Sequence, residues 1–79
     1  MARTWSIRGG EDFGRAIADI RRERHLTQQE LATLAGIERT YLATIEGGRT
    51  GSLLEHMLRI LRRLNVTITI TMGDNRAEA

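Results

Sequence analysis

The sequence predicts a small all-α domain of four helices that ends in a single β-strand, and three observations carry that expectation. Apolar residues recur at helical spacing from Phe13 to Leu64. Gly36 and the pair Gly47-Gly48 cut that spacing into short runs. From Val66 onward the apolar period drops to two.

Thr4-Trp5-Ser6-Ile7-Arg8 alternates polar and apolar residues and stops at Gly9-Gly10, so residues 1–10 read as an N-terminal arm or short strand. Phe13, Ile17 and Ile20 then fall at i, i+4 and i+7 beside Ala16. Glu11 and Asp12 sit at the positive end of the helix they define, which runs to about Arg24 or His25. Thr27-Gln28-Gln29-Glu30 fits a capping box that opens a second helix. Leu31, Leu34 and Ala35 form its expected buried side, and Gly36 ends it as a left-handed residue. A third helix follows with Ile37, Leu42 and Ile45 inward, ending at Gly47-Gly48. Two short helices across a glycine turn make the helix-turn-helix arrangement.

In the fourth helix, Leu53, Leu54, Met57, Leu58, Ile60, Leu61 and Leu64 cover an arc of roughly 160° at about 100° per residue. Packing on one side of a small core needs less, so the surplus points to a partner. In the strand 65–72, Val66, Ile68, Ile70 and Met72 share one face, and Thr67, Thr69 and Thr71 share the other. A lone strand leaves its backbone groups unpaired. Its partner is either residues 4–8 or the same segment of a second chain. The over-wide fourth helix favours the second chain, which makes Val66, Ile68, Ile70 and Met72 the expected dimerisation residues. The resulting divisions are 1–10, a helix-turn-helix domain over 11–64, a dimerisation strand over 65–72, and a polar, disordered tail over 73–79.

Composition narrows the function. A chain of 79 residues holds one small core. It has no cysteine, so no disulfide framework and no thiolate metal site. No run of 18 apolar residues and no signal-peptide core is present, which leaves a cytoplasmic, nucleoid-associated protein as the expectation. All 12 basic residues are arginine, against ten acidic ones, for a net charge of +2 and a pI near 10.4. Arginine suits phosphates and guanine edges, and equally suits carboxylates on the same helices, so charge permits a nucleic acid without demanding one. His25 and His56 are far apart in sequence, and Ser6 and Ser52 have no base at useful spacing. No metal, no cofactor and no catalytic residue is therefore expected, and an enzyme is not. The glycines at 47, 48 and 51 are followed by no Lys-Ser/Thr pair and do not cradle a phosphate. Trp5 reads first as a cover for the edge of the core, and second as a contact to a partner chain.

Leu26-Thr27-Gln28-Gln29-Glu30-Leu31-Ala32, Ala35-Gly36-Ile37, Arg39, Leu42 and Ile45-Glu46-Gly47-Gly48-Arg49 together resemble the phage-repressor-like (XRE, Cro/C1) helix-turn-helix. The last helix and its strand, Leu53 to Met72, look like those of the HipB-type antitoxins. That resemblance implies a homodimer paired through the strand, repression of its own operon at a pseudo-palindromic double-stranded DNA operator, and binding of a HipA-like kinase toxin. It also implies residue roles. Gln28 would meet a phosphate at the start of the second helix. Arg39, Thr40, Tyr41 and Thr44 would face the major groove. Arg49, with the exposed N–H groups of Gly48 and Thr50, would hold the backbone beyond. Arg21 and Glu46 would form a structural ion pair. Glu38 departs from the family, standing where a serine or threonine usually caps the third helix, and the loop Arg49-Thr50-Gly51-Ser52 lacks the usual proline. Two other readings compete: a regulator without a toxin, such as a restriction–modification controller protein, and an interaction module that has lost DNA binding.

Overall fold

The structure, a computed structural model, describes residues 3–73. Its elements run β1 (Arg3–Ile7), α1 (Gly10–Glu23), α2 (Gln28–Ala35), α3 (Arg39–Glu46), α4 (Ser52–Arg63) and β2 (Ile68–Met72). Of the expected tail over 73–79, residues 74–79 lie outside the described residues.

All four helices stop in the same way. Within two residues of each end the backbone turns left-handed, at His25 (φ 59°), Gly36 (73°), Gly48 (92°) and Asn65 (60°). In each case the following amide donates back across the last turn: Leu26 to Arg21, Ile37 to Ala32, Arg49 to Thr44 and Val66 to Leu61, at 3.0–3.1 Å. This arrangement satisfies carbonyls that a helix end leaves free. Helix starts differ more. At α2 the Thr27 hydroxyl accepts from the Glu30 amide at 3.0 Å while Glu30 accepts from the Thr27 amide at 2.8 Å, a complete capping box. Glu38 makes no side-chain cap for α3.

Small residues decide how closely the helices approach. Gly10, Gly14 and Ala18 fall one turn apart on α1, and all three are buried. A Cβ at Gly14 would run into the carbonyl oxygens of Ile45 and Glu46, so the C-terminal end of α3 rests directly on the α1 backbone. Ala32, fully buried, is the residue of α2 that faces inward. The sequence placed Leu34 and Ala35 on that buried side. The structure exposes both, Leu34 by 73%: with Ala32 facing inward, helical geometry turns residues two and three positions on toward solvent.

The strand expectation is also revised. β2 pairs with β1 of the same chain, antiparallel, with Arg3 opposite Met72, Trp5 opposite Ile70 and Ile7 opposite Ile68. The second chain favoured on the width of α4 is therefore not needed to satisfy the strand. Ile68 and Ile70 pack instead, with Trp5, Phe13 and Leu54, against the cluster Ile7, Ala16 and Leu58. Val66 lies outside the strand, in the connection that follows Asn65. The two-stranded sheet is pinned to α1 by polar contacts at its outer side. The Trp5 indole donates to Asp19 at 3.0 Å, Arg3 pairs with Glu23 at 2.6 Å, and the Arg3 guanidinium lies 4.8 Å from the Trp5 ring centre. At the other end, the Gly10 amide donates to the Glu55 carboxylate at 2.8 Å, tying α4 to the positive end of α1. Arg62 of α4 donates to the Arg8 carbonyl.

Candidate nucleic-acid interface

α2 and α3 are each eight residues long and are joined by Gly36, Ile37 and Glu38. Leu42 is 3% exposed and Ile45 half-buried, which fixes the inner face of α3. Thr40 and Thr44 lie opposite that face, with Arg39 and Tyr41 to either side, and all four are exposed. An α-helix with its side chains is about 10–12 Å across, which fits the ~12 Å width of a DNA major groove.

Behind this surface lies a hydrogen-bonded chain that runs from the core to α3. Arg21 of α1 grips Glu46 with two nitrogens, Nε at 2.8 Å and Nη2 at 3.2 Å, and its Nη1 donates to the Leu26 carbonyl at 2.9 Å. The two side chains are 12% and 6% exposed. Burial alone would push the Glu46 carboxyl up. Hydrogen bonds donated by Arg21 and Gln28, with the Arg21 charge, more than offset this and hold it below the ordinary carboxylate value. The same hydrogen bond raises Arg21, against its own desolvation. The Gln28 amide donates to Glu46 at 2.9 Å, and its oxygen accepts from the Arg39 guanidinium at 3.4 Å. The ion pair thus does more than join α1 to α3: it also holds the first side chain of α2, and through it the first side chain of α3.

The expected site residues do not all share one role in this geometry. Gln28, half-buried, has one amide hydrogen committed to Glu46 and its oxygen committed to Arg39, leaving one hydrogen for a phosphate. The Thr44 hydroxyl donates to the Thr40 carbonyl at 3.0 Å, so it offers an incoming base only lone pairs and a methyl group. Thr50 turns inward and its hydroxyl donates to Glu55 at 3.3 Å. The Gly48 amide donates to Ile45 at 2.9 Å and the Arg49 amide to Thr44 at 3.1 Å. Of the anion contact expected here, the Gly48 amide is therefore committed within the protein, while the Arg49 side chain stays exposed. Gln29, exposed at the first turn of α2, donates its side-chain amide to Thr33 at 3.2 Å.

Among the described residues, no group of three histidine, aspartate or glutamate side chains is placed to hold a metal ion. No helix there is long and apolar enough to cross a membrane.

A capped short helix, a left-handed glycine turn and a second exposed helix on an α1–α4 support define a phage-repressor-like helix-turn-helix domain. The chain belongs to the helix-turn-helix family, whose model matches residues 17–70. It is 38% identical over 61 residues to the ImmF control region 10 kDa protein of Bacillus phage phi105, covering 77% of this chain and 68% of that one. An uncharacterized HTH-type transcriptional regulator, y4mF, of Sinorhizobium fredii is 30% identical over 70 residues, 89% of this chain and 92% of its own. The immunity repressor protein of the same Bacillus phage is 36% identical over 61 residues, 77% of this chain and 42% of the repressor. No solved structure matches the chain significantly.

Proposed function

We propose that this protein is a sequence-specific repressor of transcription that binds double-stranded DNA as a homodimer, each protomer setting α3 in a major groove. The observation that carries this reading is the exposed row Arg39, Thr40, Tyr41 and Thr44 on a helix whose first residue is tied back to a largely buried ion pair. Arg39 would grip guanine O6 and N7, and threonine would meet a thymine methyl or accept from a base amine. Gln28 and Arg49 would contact phosphates on either side, fixing register. Relatives named as an HTH-type transcriptional regulator and an immunity repressor support the same function. A regulator without a toxin fits them directly.

The antitoxin role is the second reading, favoured by one feature, the strand that follows α4. β2 pairs within the chain, and no relative named above carries a toxin or antitoxin in its name, so this reading ranks below the first. Translating the reading frame beside the gene decides between them: a HipA-like kinase frame supports the antitoxin, and its absence removes it. The repressor reading is tested by titrating the duplex upstream of the gene against an unrelated duplex of equal length at two salt concentrations. Tighter binding to the first, retained at the higher salt, is expected. Equal affinity for both duplexes would refute specific repression.

A further inference from the structure

A groove opens where α1, α3 and the start of α4 meet. Phe13 and Ile17 of α1, Ile45 of α3 and Leu54 of α4 form its walls, and all four are half-buried. Tyr41 and Arg49, both exposed, stand at its mouth. It encloses about 460 Å³, within the range of ~300–1,000 Å³ typical of small-molecule sites. The packing leaves this space open. Gly14 lets α3 rest on the α1 backbone, while α4 approaches neither helix as closely. Gly51, at the start of α4, contributes no side chain, and a Cβ there would meet nothing within 4 Å. Ile17 and Ile45 stand outside the core cluster of Ile7, Ala16 and Leu58.

DNA binding does not account for these walls. A duplex presents phosphates and base edges, and nothing apolar larger than a thymine methyl. The lining defines what does fit. It carries one cation, Arg49, and no acid. Among the described residues the Arg49 guanidinium makes no ion pair. Glu55 is engaged elsewhere, accepting from the Gly10 amide and the Thr50 hydroxyl. The complement of this groove is a single anion joined to a compact apolar body. A carboxylate matches the guanidinium fork, and the apolar body displaces water from the half-buried walls. A neutral apolar molecule leaves the guanidinium unmatched, and a polyanion such as a nucleotide brings more charge than one arginine balances.

We propose that the groove binds a small carboxylic acid with one aromatic or branched apolar body, and that its occupancy releases DNA. The carboxylate sits on Arg49, and the body lies between Ile17, Ile45 and Leu54. The release rests on the repressor reading above, in which Tyr41 and Arg49 face the duplex. Arg49 cannot hold a phosphate and the carboxylate together, so each ligand weakens the other by the same factor. Such an acid acts as an inducer at the reading surface itself.

An NMR titration of the full chain without DNA tests the site, with sodium phenylbutyrate as the probe up to about 10 mM at constant ionic strength. Saturable shifts are expected at Ile17, Tyr41, Ile45 and Gly51. The amide of the same acid should bind about tenfold more weakly, and Arg49→Gln should erase that difference. Arg49 is exposed, so away from the substituted position the spectrum of this variant without probe should match the wild type. Absence of saturation overturns the proposal, as do shifts centred on Leu53 and Ile60 of α4, or an amide that binds as tightly as the acid. The second arm titrates the upstream duplex with the probe present. At about ten times the probe's Kd, duplex affinity should fall about tenfold, and the amide at the same concentration should do far less. Constant ionic strength keeps this effect apart from the salt dependence of phosphate contacts. A duplex bound with unchanged affinity while the probe shifts persist overturns the release. A chain that takes the probe in the groove but prefers no duplex supports the site and refutes the repressor reading, and the release with it.

Discussion

Replacing Glu46 with alanine separates the structural role of the Arg21–Glu46 pair from any role in DNA binding. The substitution removes two charge-assisted hydrogen bonds, at 2.8 and 3.2 Å, and the acceptor of Gln28 at 2.9 Å. Arg21, 12% exposed, is left with only the Leu26 carbonyl at 2.9 Å. Breaking a fully buried pair from one side costs about 3–5 kcal/mol. This pair lies at the lip of the core, where water can enter the space left behind, so the lower end, about 3 kcal/mol, applies. Single domains of this size hold on the order of 4–12 kcal/mol in total. At about 4–8 °C per kcal/mol, the midpoint of thermal unfolding should fall by roughly 12–24 °C. A double-mutant cycle with Arg21→Ala should return a coupling of about 2 kcal/mol. Acid adds an internal check. The Glu46 carboxyl sits below its ordinary value of 4.5 in the folded chain, so its contribution is complete above that pH and is lost as pH falls through the folded value. The stability gap between wild type and Glu46→Gln should therefore be constant near neutrality and narrow below about pH 4.5. A melting shift under ~4 °C for Glu46→Ala, or a gap that widens in acid, would refute the reasoning.

Three further outcomes follow from the same geometry. Thr27→Ala removes the hydroxyl half of the α2 capping box and should cost about 1 kcal/mol, read as a melting shift of several degrees. Gly14→Ala drives a methyl group into the Ile45 and Glu46 carbonyls, and should destabilise by more than about 2 kcal/mol in urea unfolding, although alanine is the better helix former. Gln28→Ala should leave the melting temperature within a few degrees. It should still weaken operator binding about tenfold in a gel-shift titration, since Arg39 and a phosphate both lose their anchor.

Much of the fold was legible because local chemistry and tertiary packing agree. The capping box at Thr27 and Glu30 and the left-handed stop at Gly36 depend on a few adjacent atoms, so residue types alone reveal them. The left-handed turn at His25 was not legible: histidine occupies that conformation less freely than glycine, and the Leu26–Arg21 bond that enforces it is invisible in the sequence. Periodicity identified which residues of α4 are apolar, but it cannot say which part of a wide arc faces the core. Leu58 turned inward and Leu53, Ile60 and Leu64 outward. The partner of β2 was harder still. Residues 4–8 carried a weak strand signal, and pairing Arg3 with Met72 spans nearly the whole chain, a contact that no local pattern encodes. In the candidate site, Arg39, Thr40, Tyr41 and Thr44 were readable from their positions on α3. The links from Glu46 through Gln28 to Arg39, and the inward turn of Thr50, depend on side-chain directions that only the packed structure supplies.

The most direct test of DNA reading by α3 is a binding titration of wild type, Arg39→Ala and Arg49→Ala against the upstream duplex and its single-base variants. Arg39→Ala should lose about 1–3 kcal/mol on the upstream duplex and lose its preference at one base position only. Arg49→Ala should weaken binding to every duplex alike and reduce the salt slope by about 1. If both variants weaken all duplexes equally and leave every base preference intact, α3 does not read the major groove.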